Sequence, residues 1–280
     1  MIRFCMLALM AAPAVFISCN NSSNTGTTAE DTTIKTSSPQ LKEENVTYTA
    51  DSVTMNGYVV YSDSIQGKRP AVVVVHEWWG LNDYAKNRAK QLARLGYIAM
   101  AVDMYGNGQT AANPDEAMKL AGPFYQHPQM AKTRLDAALA KLKTYAQTDA
   151  DRIAAIGYCY GGFVVLNAAK LGADVKGVVS FHGNLSGVAP DKNLLKAKVL
   201  VCHGEADPYV SAKEVATFKK QMDSVGAAYT FKSYPGAKHA FTNPESTENG
   251  KKFKMDIAYN EAADKGSWEE MKKFFSTIFK

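Results

Sequence analysis

The chain has 280 residues, 46% of them hydrophobic and 21% charged, which suits one large α/β domain or two small ones. Its formal net charge of +5 is spread along the sequence. No basic block or aromatic-interleaved stripe is present, so nucleic acid is set aside as a partner.

The N-terminus reads first. Arg3 supplies a positive start and Phe4 to Ile17 form an apolar stretch interrupted by Pro13. Spanning a bilayer takes about 20 apolar residues, so this stretch fits a signal-peptide core better than a membrane helix. It ends in Phe16-Ile17-Ser18-Cys19, which resembles a bacterial lipobox with phenylalanine in place of the usual leucine. The expectation is a signal peptide over 1–18, lipidation at Cys19, and a flexible tether over 19–45. Asn20 to Gln40, rich in Ser, Thr and Asn, has too little apolar surface to fold. The expected location is the bacterial cell envelope, as an exported lipoprotein anchored in the periplasm or outer membrane. The lipid would be the only membrane contact.

The folded domain is expected over 46–280. Val46 to Ala50 and Met55 to Tyr61 alternate around a polar turn, as a hairpin does. Ala71 to Val75 is a β-branched run suited to a strand buried on both faces. Asn82 to Leu95 has helical spacing and stops at Gly96. Tyr97 to Val102 is a strand, and Pro114 to Ala121 and Pro128 to Tyr145 are helices. Arg152 to Ile156 is a strand running into Gly157-Tyr158-Cys159-Tyr160-Gly161-Gly162, with a helix expected after it. Val175 to Phe181, Ala197 to Cys202 and Tyr229 to Tyr234 complete the strands. Ala212 to Val225 and most of Lys252 to Lys280 are helical. Strands alternating with helices predict one domain with a mostly parallel sheet covered on both faces. Cys159 and Cys202 then lie on strands separated by one other, roughly 9 to 10 Å apart. A disulfide needs α-carbons within about 7 Å, so two free thiols are expected.

Gly157-Tyr158-Cys159-Tyr160-Gly161 has the form of a nucleophile elbow with cysteine in place of serine. Glycines are needed because side chains two residues either side of the sharp turn would collide. The next helix aims its first N–H groups at the site, favouring a thiolate and a developing oxyanion. An acid and a histidine follow in the order this architecture uses: Asp207 in His203-Gly204-Glu205-Ala206-Asp207, then His239 in Lys238-His239-Ala240-Phe241. Both fall after strands, where open α/β sheets gather their sites. His239 would take the thiol proton and Asp207 would orient its ring. His203 reads as a structural residue in a tight turn and His127 as exposed; His182 ends a strand and is a candidate for the pocket wall. His76-Glu77 has no second histidine at helical spacing, so it is not a zinc motif, and neither metal nor cofactor is expected.

Five pieces in order make the chain resemble the dienelactone hydrolase family of α/β-hydrolases over 46–280. They are His76-Glu77-Trp78-Trp79-Gly80, Asp103-Met104-Tyr105-Gly106, Gly157 to Gly162, His203 to Asp207, and His239-Ala240-Phe241. The resemblance implies an α/β-hydrolase fold and hydrolysis of a small ester or lactone. It implies Cys159 as nucleophile, His239 as base, Asp207 as its acid, and Glu77 as a carboxylate that meets the resting thiol. Backbone N–H groups of Tyr160 and Trp78 would bind the oxyanion. From the sequence alone, Glu77 fits equally well as a surface carboxylate capping the next helix. Trp79, Tyr105, Tyr158, His182 and Phe241 are the expected pocket residues.

Family members acting on dienelactone carry arginines after the Tyr-Gly turn and after the catalytic histidine. This chain has Asn107 and Asn243 in those neighbourhoods. A neutral substrate is therefore expected, with Lys238 the nearest cation that could replace an arginine. Restoring arginine at Asn243 is expected to recover anion binding. A monomer is expected. The competing readings are a thioesterase or acyltransferase on the same triad, and a non-catalytic lipid-anchored binding protein.

Overall fold

The computed structural model describes residues 40–280. The expected signal peptide, Cys19 and most of the tether lie outside the described residues. Eight strands form one sheet: β1 (Leu41–Ala50), β2 (Val53–Ser62), β3 (Arg69–Val75), β4 (Ile98–Val102), β5 (Thr148–Tyr158), β6 (Gly177–Phe181), β7 (Lys198–Gly204) and β8 (Tyr229–Tyr234). Their order is β1-β2-β4-β3-β5-β6-β7-β8. The first two strands pair antiparallel, β2 meets β4 antiparallel, and β4 through β8 run parallel. This is the mostly parallel, helix-covered sheet of the α/β-hydrolase fold.

Helices α1 (Asp83–Arg94), α2 (Pro114–Gln126), α3 (Gln129–Lys143), α4 (Tyr160–Lys170), α5 (Ala212–Ser224), α6 (Ser246–Phe253) and α7 (Glu261–Ile278) fill the connections. The sheet has an apolar core on each face because its central strands carry continuous apolar runs, such as Ala71 to Val75, Ile98 to Val102 and Ile153 to Ile156. Val73, Ile153, Leu135, Phe163 and Phe218 pack on one face. Val72, Ile156, Leu92, Met271 and Phe275 pack on the other.

Several boundaries differ from expectation. β1 begins at Leu41, five residues before the expected domain start at 46, and pairs Leu41 with Ser62. The polar run Lys42 to Asn45 hid it, because Glu44 occupies an inward position and accepts hydroxyls from Tyr61 and Tyr145. α2 continues past Ala121 to Gln126 with Pro123 inside it. α6 starts before Lys252, and 254–260 separate it from α7. His203 lies in β7 rather than in a turn, its ring against Phe231. Cys159 and Cys202 are both free and buried.

The parallel strands all point their carboxyl ends one way. The segments after β3, β4, β5, β6, β7 and β8 therefore converge, and they hold Glu77, Tyr105, Cys159, His182, Asp207 and His239. Topology makes the site.

Candidate active site

Cys159 stands between β5 and α4 with φ 53° and ψ −116°, a left-handed conformation that L side chains rarely adopt. The flanking glycines permit it. A Cβ on Gly157 would lie 2.0 Å from the Gly161 carbonyl oxygen, and one on Gly161 would lie 2.4 Å from that of Val75.

His239 Nε2 lies 3.0 Å from Cys159 Sγ, and His239 Nδ1 lies 2.8 Å from Asp207 Oδ2. The other Asp207 oxygen accepts the Tyr209 N–H at 2.8 Å. With Nδ1–H donating to the carboxylate, Nε2 faces the sulfur as the basic atom. Burial opposes charge on His239, but the facing Cys159 sulfur and the Asp207 carboxylate outweigh it and hold the ring well above the ordinary histidine value. The structure thus brings the three expected residues into one hydrogen-bonded line.

Glu77 is buried beside them and does not cap α1; Asn82 does, accepting the Ala85 N–H. Its carboxylate accepts the Asn243 side-chain amide at 2.6 Å, while the thiol is paired with His239 instead. Burial pushes the Glu77 carboxyl up to about 7 against the pull of Asn243, His239 and Arg88. Asn243 is itself buried, and its carbonyl accepts the Glu245 N–H. Asn243 thus faces Glu77 and is not among the residues that line the cavity.

The loop that carries Trp78 is held from behind by all three of its carbonyls. His76 accepts the Met104 N–H on Nε2 and donates from Nδ1 to the Glu77 carbonyl. The Tyr105 hydroxyl donates to the Trp78 carbonyl at 2.9 Å, and the Ala111 N–H to that of Trp79. Asp103 in turn fixes the Tyr105 turn by accepting four N–H groups, from Asn56, Tyr105, Gly106 and Gly108. Among the described residues, the Trp78 and Tyr160 N–H groups have no intramolecular acceptor.

A cavity of about 470 Å³ opens over the sulfur. Trp78, Trp79, Met118, Tyr125, Met255 and Ile257 give it apolar walls; Glu77, Asn184, Ser186 and Tyr209 are its polar residues beside the cysteine and histidine. No arginine or lysine lines it. Lys238 is paired with Asp256, and Asn107 is an exposed turn residue.

Of the expected pocket residues only Trp79 lines the cavity. Tyr158 alternates with Cys159 along the strand and faces the opposite core, stacked on Phe181. Phe241 is fully buried in that same core. Tyr105 serves the loop rather than the cavity, and His182 lies beneath the elbow. Met118 and Tyr125 were missed, although seven residues apart on one helix they share a face. Tyr209, Met255 and Ile257 carry no local signal, because loops bring them in.

Among the described residues, no group of three or more His, Cys, Asp or Glu side chains is arranged to hold a metal ion.

A sequence model of the dienelactone hydrolase family matches residues 55–279. The chain is 31% identical over 191 residues to a Bradyrhizobium protein named as a probable 2-oxo-3-(5-oxofuran-2-ylidene)propanoate lactonase, covering 63% of this chain and 75% of the relative. It is 28% identical over 240 residues to an Aquifex aeolicus (strain VF5) protein provisionally named a carboxymethylenebutenolidase, covering 84% of this chain and 98% of the relative. Among solved structures, a dienelactone hydrolase-like promiscuous phosphotriesterase from metagenomic libraries superposes with a TM-score of 0.81 at 32% identity. That match covers 86% of this chain and 99% of the other.

Proposed function

Because the chain belongs to the dienelactone hydrolase family and is a hydrolase of ester or lactone bonds, we propose that it works through a covalent thioester on Cys159. The observation that carries this reading is the line Cys159–His239–Asp207, with contacts of 3.0 and 2.8 Å at the floor of the cavity. His239 takes the thiol proton as the sulfur attacks the substrate carbonyl carbon. The oxyanion that forms accepts the free Tyr160 and Trp78 N–H groups. As the carbonyl re-forms, the carbon–oxygen bond to the alkoxide breaks and His239 returns the proton to it. Water, deprotonated by His239, then attacks the thioester; the acid leaves and the thiol is regenerated.

The substrate is neutral and carries an apolar acyl or leaving group. Walls without arginine or lysine give a carboxylate no bidentate guanidinium or ammonium partner, and Glu77 repels one when ionised. A neutral phosphotriester meets the same requirement, and the solved relative at 32% identity is described as a promiscuous phosphotriesterase, so such triesters form the second substrate arm. Lipidation at Cys19 and display on the cell envelope belong to the same proposal; incorporation of a labelled fatty acid, lost in Cys19→Ala, tests them.

The test of the chemistry is intact-protein mass spectrometry with a slowly hydrolysed p-nitrophenyl ester. One acyl adduct is expected, absent in Cys159→Ala. His239→Ala should lower turnover by about 10³ or more. An adduct elsewhere, or undiminished turnover in Cys159→Ala, rejects the reading.

A further inference from the structure

His182 follows β6 directly and has φ 43°, a left-handed backbone conformation uncommon outside glycine. Its ring is buried and both nitrogens are engaged. Nδ1 accepts the backbone N–H of Cys159 at 3.0 Å, a donor that is shared with the Phe181 carbonyl, also at 3.0 Å. In a neutral ring Nε2 then carries the hydrogen, which it donates to Thr242 Oγ1 at 2.7 Å. Thr242 belongs to the turn that carries His239, three residues on, and that turn is closed by Asn243 N–H to the Ala240 carbonyl. The ring also meets the His239 ring edge-on at 5.4 Å and that of Phe241 at 5.1 Å.

The far side of Thr242 is equally constrained. Its hydroxyl lies 2.6 Å from the Tyr84 hydroxyl, and Arg88 donates to its carbonyl while pairing with Asp264. The turn is thereby fastened to α1 and α7, and the elbow to the turn through one imidazole. The elbow and the His239 turn leave different strands and are 80 residues apart in sequence. Their separation must hold to a few tenths of an ångström for the sulfur and the base to stay in contact.

We propose that His182 is a positioning residue that bridges the nucleophile turn to the base turn and so sets the Cys159–His239 contact. This rests on the reading of Cys159 as nucleophile. The bridge also divides labour between two neighbouring imidazoles. A proton on His182 Nδ1 would face the Cys159 N–H and break the bridge, so His182 stays neutral while His239 accepts the proton. Burial, then the adjacent His239 and Arg88, hold His182 well below the ordinary histidine value. Tyr158 and Tyr84, the other titratable neighbours of this assembly, are held above theirs by burial and stay neutral.

The test uses Thr242→Val, which removes the acceptor at constant shape, and Thr242→Ser, which restores it. His182→Asn is the independent variant: asparagine tolerates the left-handed backbone but is too short to span both partners. Two rates are measured on protein shown to be folded by circular dichroism: pre-steady-state acylation by a p-nitrophenyl ester, and alkylation of Cys159 by iodoacetamide at pH 7. Thr242→Val and His182→Asn should slow both by about tenfold or more with KM unchanged within about twofold, and Thr242→Ser should return both to near the wild-type rate. In the unaltered protein, a slowly exchanging His182 Nε2–H with a nuclear Overhauser contact to Thr242 is expected. Wild-type rates in the folded valine variant, equal losses in the serine and valine variants, a change confined to KM, or a Nδ1–H ring at pH 7 each overturns the bridge. Alkylation needs no ester turnover, so failure of the hydrolase reading appears as absent turnover in the wild type. Failure of the bridge appears as unchanged alkylation in the variants.

Discussion

At the scale of single residues, Glu77 has the least expected environment. It is a carboxyl buried against an amide rather than a cation, and burial raises it from 4.5 to about 7. The folded protein therefore keeps that proton up to about pH 7, whereas the unfolded chain releases it near 4.5. Between those values the folded state binds more protons, so stability falls as pH rises. Glu77→Gln keeps an acceptor for Asn243 and removes the titration. The variant's stability advantage should grow by on the order of 3 kcal/mol between pH 4.5 and pH 8. Urea unfolding at the two pH values measures it, and an advantage independent of pH would refute the argument.

At the scale of elements, the elbow is the tightest joint in the sheet. Gly157 and Gly161 leave no room for a methyl group, because the clashing atoms are backbone oxygens that cannot rotate away. Gly157→Ala and Gly161→Ala should each cost about 3 kcal/mol of stability by overpacking. They should also lower esterase activity more than tenfold, since relief of the clash displaces Cys159. Denaturant melts and initial rates on the same preparations check this; a stable, fully active alanine variant contradicts it. β1 makes the opposite case, a strand whose first half reads as linker. Protein beginning at Gln40 should melt within about 2 °C of protein beginning at Asn20. Protein beginning at Val46 loses the pairs Leu41–Ser62 through Asn45–Tyr58 and should melt lower by several degrees. Equal melting temperatures for all three would show that the early pairing adds nothing.

For the whole molecule, the question is what the cavity selects. Its walls come from α2, from the segment after α6 and from the segments that follow β3, β5, β6, β7 and β8, and none of them brings an arginine or lysine to it. Losing a charge-assisted, bidentate contact typically removes on the order of 1.5 to 3 kcal/mol, about tenfold to a hundredfold in affinity. A neutral lactone should therefore exceed its carboxylate-bearing analogue in kcat/KM by about that factor. The ratio should not change with salt or with Lys238→Ala, because Lys238 is held by Asp256. Preference for the anionic analogue, weakened by salt, would reveal a cation that reaches the cavity by motion.

The sequence by itself determined the architecture and the chemical line. Apolar runs such as Ala71–Val75 encode strands buried on both faces, and Gly157-x-Cys159-x-Gly161 encodes a turn that only glycines permit. The order Cys159, Asp207, His239 places each group after a parallel strand, where local pattern and site geometry coincide. What it left open depends on contacts between distant segments. Tyr158 and Phe241 look like pocket residues by proximity in sequence, yet strand alternation and loop course put both in the opposite core. The surroundings of Glu77 depend on a bond to Asn243 across 166 positions, and those of His182 on Cys159 and Thr242. Local patterns report which face of an element is apolar. Which polar group meets which across the sheet's carboxyl edge is decided when the loops close, because only there does burial force each donor to find its acceptor.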